Sequence, residues 1–96
     1  MTLAEFRGSV KDSVAPAQLS PLLQAMWFDA KGDWEKAHEI CQEIDTKQGA
    51  LIHAYLHRKE GDLSNAAYWY LRAGRTVPSA GLDEEWAMIV TELIGH

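Results

Sequence analysis

Two stretches decide the fold: "AMWFDAKGDWEKAHEICQEI", residues 25–44, and "AYLHRKEGDLSNAAYWYLRA", residues 54–73. They are copies of one pattern, because a shift of 29 positions aligns the small residues and the Gly-Asp pair of the first with those of the second. Self-similarity at such a spacing is typical of proteins built from stacked helical units. The sequence therefore predicts an all-α protein that contains two similar helical hairpins.

The Gly-Asp pair in each copy marks the turn between two helices. Gly32 and Gly61 can take the left-handed conformation that ends a helix, and the aspartates after them can cap the next helix. Small side chains occur where the paired helices of a hairpin must approach each other closely. The residues of this repeated motif are Ala25, Gly32, Asp33, Ala37, Ala54, Gly61, Asp62 and Ala66.

Capping signals predict six helices and no strand. A capping box starts the first helix at Thr2, and a similar pattern starts the fourth helix at Asp45. The last helix begins with three acidic residues from Asp83 and is closed by Gly95. The predicted helices cover about residues 3–14, 21–31, 34–44, 46–60, 63–73 and 83–94.

The length of 96 residues predicts one domain, residues 1–96, since a core of this size is not large enough to divide. Hydrophobic residues make up 47% of the chain, an ordinary value for a folded protein. The expected parts are an N-terminal capping helix with a linker, two hairpins and a C-terminal capping helix. They correspond to residues 1–19, 20–45, 46–78 and 79–96.

The charge pattern argues against a nucleic-acid partner. Nine basic residues face 14 acidic ones, the net charge is −5, and the basic residues are scattered. The N-terminal residues do not resemble a secretion signal, and no apolar stretch approaches the length of a membrane span. A single cysteine, Cys41, fits a reducing compartment. We therefore expect a cytoplasmic protein with no membrane partner.

The strings "GDWEKAHEICQEI" and "EGDLSNAAYWYLRAGRTVP" resemble the tetratricopeptide repeat. The resemblance covers about residues 20–78, although the spacing is 29 rather than the family's roughly 34 residues and there are only two units. The chain is also similar to short uncharacterised bacterial proteins, which implies no function. The matching positions are Ala25, Gly32, Trp34 and Ala37 in the first unit, and Ala54, Gly61, Leu63, Ala66, Tyr70, Ala73 and Pro78 in the second.

The resemblance implies an interaction surface rather than an enzyme. The first helix of each repeat unit lines a concave groove in that family, so this chain is expected to bind a protein or peptide without a cofactor. The Tyr-Arg pair of the second unit is a candidate anchor for a peptide or a carboxylate. The groove candidates are Leu22, Met26, Asp29, Leu51, Tyr55 and Arg58.

His53 and His57 lie one helical turn apart and allow two interpretations. The first, which is the default, is packing inside the hairpin, with the rings hydrogen-bonded to neighbours and no metal ligand predicted. The alternative is a small metal-binding or hydrolytic protein, in which His38 or Cys41 supplies a third ligand. The zinc-protease motif is absent because Ala54 follows the first histidine where that motif has glutamate. No orienting group or oxyanion hole accompanies Cys41, so no catalytic residue is predicted.

A short array leaves apolar surface at its two ends. The C-terminal helix, with Trp86 in its apolar stripe, is expected to cover Trp69 and Tyr70 at one end. The N-terminal helix carries a thinner stripe, so Leu22, Met26 and Trp27 are expected to be only partly covered. Such a surface favours a weak homodimer or another protein partner.

Overall fold

The computed structural model describes residues 1–95, and within them it contains six α-helices and no strand. The all-helical prediction is therefore confirmed. Most of the helix limits lie within two residues of those predicted. The helices are α1 Leu3–Ser9, α2 Pro21–Ala30, α3 Trp34–Gln42, α4 Lys47–Glu60, α5 Leu63–Arg72 and α6 Leu82–Ile94.

Two helical pairs form the centre of the molecule. Helix α2 packs against α3, α4 packs against α5, and α3 joins the two pairs by packing against α4. The Gly-Asp turns are built as predicted: Gly32 has φ 87° and Gly61 has φ 90°, both left-handed. Asp33 then caps α3 by accepting the amide of Lys36, and Asp62 caps α5 in the same way.

The predicted first helix was too long. Helix α1 ends at Ser9, whose hydroxyl donates to the backbone carbonyl of Phe6, and Val14 is 75% exposed beyond the helix. Glycine and serine at the end of this segment are poor helix formers, and a serine hydroxyl competes for backbone groups. The apolar stripe of the N-terminal segment is therefore limited to the roughly two helical turns of α1 around Phe6.

The start of α4 and the ends of α6 also differ from prediction. Thr46, not Asp45, caps α4, because its side chain accepts the amide of Gly49 at 3.0 Å. Helix α6 begins at Leu82, one residue before the acidic cluster. Gly95 follows α6 with φ −70°, so it ends the helix without the left-handed conformation.

The alanines of the repeated motif lie where helices meet. Ala25, Ala37 and Ala54 are fully buried, and Ala66 is almost so. Larger side chains fill the space around them, as expected when small residues let helices approach. The largest fully buried side chains are Tyr70, Phe6, Met26, Ile52, Leu56, Val90 and Cys41.

The placement of helix α6 was predicted only in part, because α6 contacts Tyr70 through Glu85 but does not cover Trp69. It packs across α2 and α4, and α1 packs against it, so both terminal helices cover one side of the molecule. Trp86 contacts Met26, not Trp69, which lies on the other side of α4 against His53. Met26 and Trp27 are buried, contrary to the expectation of partial cover, whereas Leu22 is half-buried as expected.

Among residues 1–95, none of the helices combines the length and the apolar character that crossing a bilayer requires.

Candidate functional site

The surface of α2 and α4 that α6 covers is called the inner face here. It contains the predicted groove residues, but they are not open to solvent: Met26, Asp29, Leu51 and Tyr55 are buried, and Arg58 is half-buried. Leu22, at the start of α2, is also half-buried. The chain's own α6 therefore occupies the place where the sequence predicted a bound peptide.

A carboxylate of α6 is held at the centre of this contact. Arg58 donates to Glu85 Oε1 at 2.7 Å, and the hydroxyl of Tyr70 donates to Glu85 Oε2 at 2.5 Å. The side chain of Glu85 is only 4% exposed. Burial and the bond to Glu85 raise the pKa of Tyr70, while the bond to Glu85 raises the pKa of Arg58. The predicted anchor Arg58 thus binds a carboxylate, in the same chain.

An indole lies next to this carboxylate on α6. The Nε1 of Trp86 donates to the backbone carbonyl of Met26 at 3.2 Å, and the ring lies beside that of Phe6 with centroids 5.8 Å apart. The indole is therefore held on both sides, by α2 and by α1. It anchors α6 through packing and through one hydrogen bond.

The carboxylate of Asp29 is bound by side chains of the same protein and is not free to bind a ligand. Its carboxylate accepts the Tyr55 hydroxyl at 2.9 Å and the Lys59 ammonium at 2.9 Å. Burial, followed by the charge of Asp29, raises the pKa of the Tyr55 phenol. These two partners satisfy a carboxylate that is almost completely buried, and they tie α2 to α4.

His53 and His57 of α4 lie one turn apart on the side of that helix that faces away from Leu51 and Arg58. This follows because successive helical residues turn by about 100°. His38 of α3 meets them there. Its Nε2 is 2.9 Å from Nε2 of His53, so one of these nitrogens carries a proton and donates to the other. One ring nitrogen from each of His38, His53 and His57 lies within 4.8 Å of those of the other two. These three residues are called the histidine cluster below.

Glu60 fixes the tautomer of His57. The ring Nδ1 donates to Glu60 Oε2 at 3.0 Å, which leaves the lone pair on Nε2. Among residues 1–95, the one hydrogen-bond contact of that Nε2 is long, 3.4 Å, and joins it to the side-chain amide of Asn65. Because Glu60 occupies Nδ1, Nε2 is the nitrogen of His57 that is left for a ligand, and its hydrogen-bond partner is weak.

Two tryptophans hold the other rings of the cluster. Trp34 stacks on His38 with centroids 4.9 Å apart, and Trp69 stacks on His53 at 3.9 Å. The indole of Trp34 is itself held by a bond from Nε1 to the carbonyl of Leu56 at 2.8 Å. The imidazoles therefore lie between aromatic walls that restrict their rotation.

The surroundings of His38 and His53 favour the neutral form of these two rings. Burial, with the neighbouring histidines as a second cause, lowers the pKa of His53 to about 4. Burial and the charge of His57 lower the pKa of His38. Cys41 lies on α3 near the cluster, but its thiol donates to the carbonyl of His38, and burial raises its pKa to about 12. Cys41 is consequently a packed thiol at neutral pH.

Comparison of the chain with known protein families, with curated proteins and with solved structures gives no match. The tetratricopeptide resemblance therefore rests on the sequence pattern alone.

Sequence reasoning identified all three histidines of the cluster, with His38 as one of two candidates for the third position. It did not identify Glu85, Trp34 or Trp69 as contacts of these sites. Glu85 lies four residues before Ile89, one turn earlier on the apolar stripe of the last helix, and an acid on such a stripe is a signal that could have directed attention to it.

Proposed function

We propose that the chain is a non-catalytic interaction module of the tetratricopeptide-like type, whose inner face binds an amphipathic helix. The observation that carries this proposal is the pair of bonds from Arg58 and Tyr70 to Glu85 of α6. A helix that offers a carboxylate and an adjacent indole fits this face in size and charge. The chain's own α6 is the helix held there in cis.

The chemistry of the face defines the class of partner. Arg58 supplies a cation at the centre, Met26 supplies a backbone acceptor for an indole, and Leu51 supplies apolar surface. The matching ligand is a helix with an acidic first turn, an aromatic residue next to the acid, and an apolar stripe. A partner of this kind binds by taking the place of α6.

The location proposed for this activity is the cytoplasm. Cys41 is a buried free thiol, 1% exposed, and such a thiol persists in a reducing compartment. The resemblance to a family of interaction modules supports the proposed binding function but not the proposed location.

A labelled peptide with the sequence of residues 80–95 tests the proposal. Its binding is measured by fluorescence anisotropy against the wild-type chain and against a Trp86→Ala variant, in which α6 is held less firmly. We expect the variant to bind the peptide at least tenfold more tightly, because the competing helix is weakened. A Glu85→Gln peptide should bind more weakly than the native peptide to both proteins.

Circular dichroism shows whether Trp86→Ala stays helical, and Ile89→Ala, which removes a smaller contact, replaces it if it does not. No saturable binding of the peptide to the wild type or to a folded variant would contradict the proposal. Equal affinity of the native and Glu85→Gln peptides would contradict the role of Arg58 and Tyr70.

A further inference from the structure

We propose that His38, His53 and His57 form a binding site for one divalent transition-metal ion of the zinc class. The site is separate from the inner face, because it lies between α3 and the opposite side of α4. It does not depend on the proposed interaction with a helix.

The first observation in favour of a metal site is that three imidazoles converge on one point. Zinc binds imidazole nitrogen at about 2.0–2.1 Å, so two ligands of a tetrahedral ion lie about 3.3 Å apart. His38 Nε2 and His53 Nε2 are 2.9 Å apart, and the three ligand nitrogens lie within 4.8 Å of one another. If His38 and His53 move apart by a few tenths of an ångström and the ring of His57 shifts inward, all three nitrogens reach coordination distance.

The second observation in favour of a metal site is that the three imidazoles differ in how fully their nitrogens are hydrogen-bonded. His38 and His53 already satisfy each other, so packing and hydrogen bonding alone give no need for a third imidazole. His57 is 8% exposed, and within the described part of the chain its Nε2 has only the 3.4 Å hydrogen-bond contact with the amide of Asn65. An ion at the centre of the cluster would accept this lone pair together with those of His38 and His53.

The surroundings of His57 have the form of a metal ligand's support. Metal-binding histidines usually donate their other ring N–H to a carboxylate, which orients the ring and makes it a better ligand. Glu60 does this for His57 at 3.0 Å. Stacking by Trp34 and Trp69 restricts the other two rings, so little conformational entropy is lost when the ion binds.

The chemistry of the donors selects the ion. Three neutral imidazoles suit Zn²⁺, Cu²⁺ and Ni²⁺, whereas Mg²⁺ and Ca²⁺ prefer oxygen ligands. Cys41 is not in the converging group, because its thiol is directed to the carbonyl of His38. The fourth tetrahedral position is left for water, and half-buried His38 gives the ion a path from solvent.

Binding of the ion to the histidine cluster requires no net release of protons. One of the facing nitrogens of His38 and His53 carries a proton in the metal-free protein. When both bind the ion through Nε2, that proton moves to Nδ1 of the same ring, and the ring stays neutral. The proposal concerns a bound ion and assigns no reaction to it.

The test uses the full chain without a histidine tag, treated with a chelator and then titrated with ZnCl₂ at pH 7.5. We expect one ion per chain by calorimetry and by elemental analysis, with a Kd of about 1 µM or below. Saturating Zn²⁺ should raise the melting temperature. Cu²⁺ should quench tryptophan fluorescence, because Trp34 and Trp69 contact the cluster.

Variants separate this site from casual binding by histidines. His38→Gln changes a half-buried residue, so the fold should persist while zinc affinity falls at least a hundredfold. Glu60→Gln should weaken binding about 10- to 100-fold through the orientation of His57. His96→Gln, which changes the one histidine outside the cluster and outside the described residues, should leave affinity unchanged.

Absence of stoichiometric zinc uptake by the wild type would overturn the proposal. So would uptake that survives in His38→Gln, or uptake that His96→Gln abolishes. His53→Gln gives an independent check: circular dichroism reports its fold, and a folded variant that binds zinc as tightly as the wild type contradicts the site.

Discussion

The indole N–H of Trp86 donates a hydrogen bond to the backbone carbonyl of Met26, 3.2 Å away and 60 residues earlier in the chain. This bond closes the inner face over the predicted groove and places Glu85 beside Arg58. The last helix is thereby joined to the first hairpin as well as to the second.

The Arg58–Glu85 pair should contribute more to stability than an exposed pair. Glu85 is buried and Arg58 is 18% exposed, so their charges are poorly screened. A double-mutant cycle with Arg58→Met and Glu85→Gln, measured by urea unfolding, should give a coupling free energy of about 1.5–3 kcal/mol.

The ion pair between Arg75 and Glu92 is the matched control for this cycle, because it also joins α6 to the segment around α5 but is exposed. Its coupling should be below about 1 kcal/mol. Equal coupling in the two pairs would show that burial of Glu85 does not strengthen the contact.

Gly49 should be the position at which an added methyl group is tolerated least. A Cβ there would lie 2.2 Å from the backbone oxygen of Ile44, which cannot move without shifting the turn before α4. Gly49→Ala should therefore lower the free energy of unfolding by about 1–3 kcal/mol. The sign is informative, because glycine-to-alanine changes inside helices usually stabilise.

Gly8→Ala provides the comparison for Gly49→Ala. Gly8 also lies in a helix, but a Cβ there meets no atom within 4 Å. Its melting temperature should be equal to or above that of the wild type. If both variants behave alike, the close approach of Ile44 to α4 is incorrect.

Gly61 should resist substitution for a different reason. A Cβ there meets nothing within 4 Å, but the residue has φ 90°, a conformation that branched side chains rarely adopt. Gly61→Val should cost about 1–3 kcal/mol through backbone strain alone. Gly81→Val should cost less, because Gly81 is equally open and has φ −70°. A similar loss of stability at both positions would contradict the left-handed turn.

Local sequence signals were sufficient for the helical hairpins. Gly32, Asp33, Gly61 and Asp62 act within a few residues of themselves, so their roles as helix ends and caps could be predicted without tertiary contacts. The limit of α1 was missed because its apolar pattern continued to Val14. That side chain has no core to pack against, and periodicity by itself does not report this.

The placement of α6 depended on contacts that the sequence does not display. Trp86 has the same amphipathic register whether its helix covers the end of α5 or the inner face. What decides between them is the match of Glu85 to Arg58 and of the indole to the carbonyl of Met26. The sequence left His38 and Cys41 of α3 as alternatives for the residue beside His53. The crossing of α3 over α4, which the sequence does not show, places His38 there.

The metal-free protein should lose stability in mild acid because of His53. Burial and its neighbours His38 and His57 lower the pKa of His53 to about 4, from 6.5 in an unfolded chain. Between these values the unfolded chain binds a proton that the folded chain does not. Stability is therefore highest above pH 6.5 and falls as the pH is lowered, by about 2 kcal/mol at pH 5.

Urea unfolding in the presence of a chelator, between pH 7.5 and 5, measures this effect. The lowered pKa of His38 acts with the same sign, so the wild type should show a steeper slope than a His53→Gln variant. Carboxylates titrate mainly below this window. Identical slopes for the wild type and the variant would show that His53 is not the group responsible.

The chain should form a weak homodimer through α5 rather than through the N-terminal helix. Leu63 and Leu71 are 66% and 78% exposed, and with Ala67 between them they form a stripe at four-residue intervals that α6 leaves uncovered. Phe6, by contrast, is fully buried, so α1 offers little apolar surface. A two-fold pairing of α5 with its copy is the simplest way to cover the stripe.

Sedimentation equilibrium over a wide concentration range tests this arrangement. The average mass of the wild type should rise with concentration, and Leu71→Glu should keep the chain monomeric with an unchanged melting temperature. Val14→Glu, at a position as exposed as Leu71 but far from it in sequence, should associate like the wild type. A wild type that remains monomeric at the highest concentration rules out the homodimer, and association that survives Leu71→Glu rules out α5 as its contact.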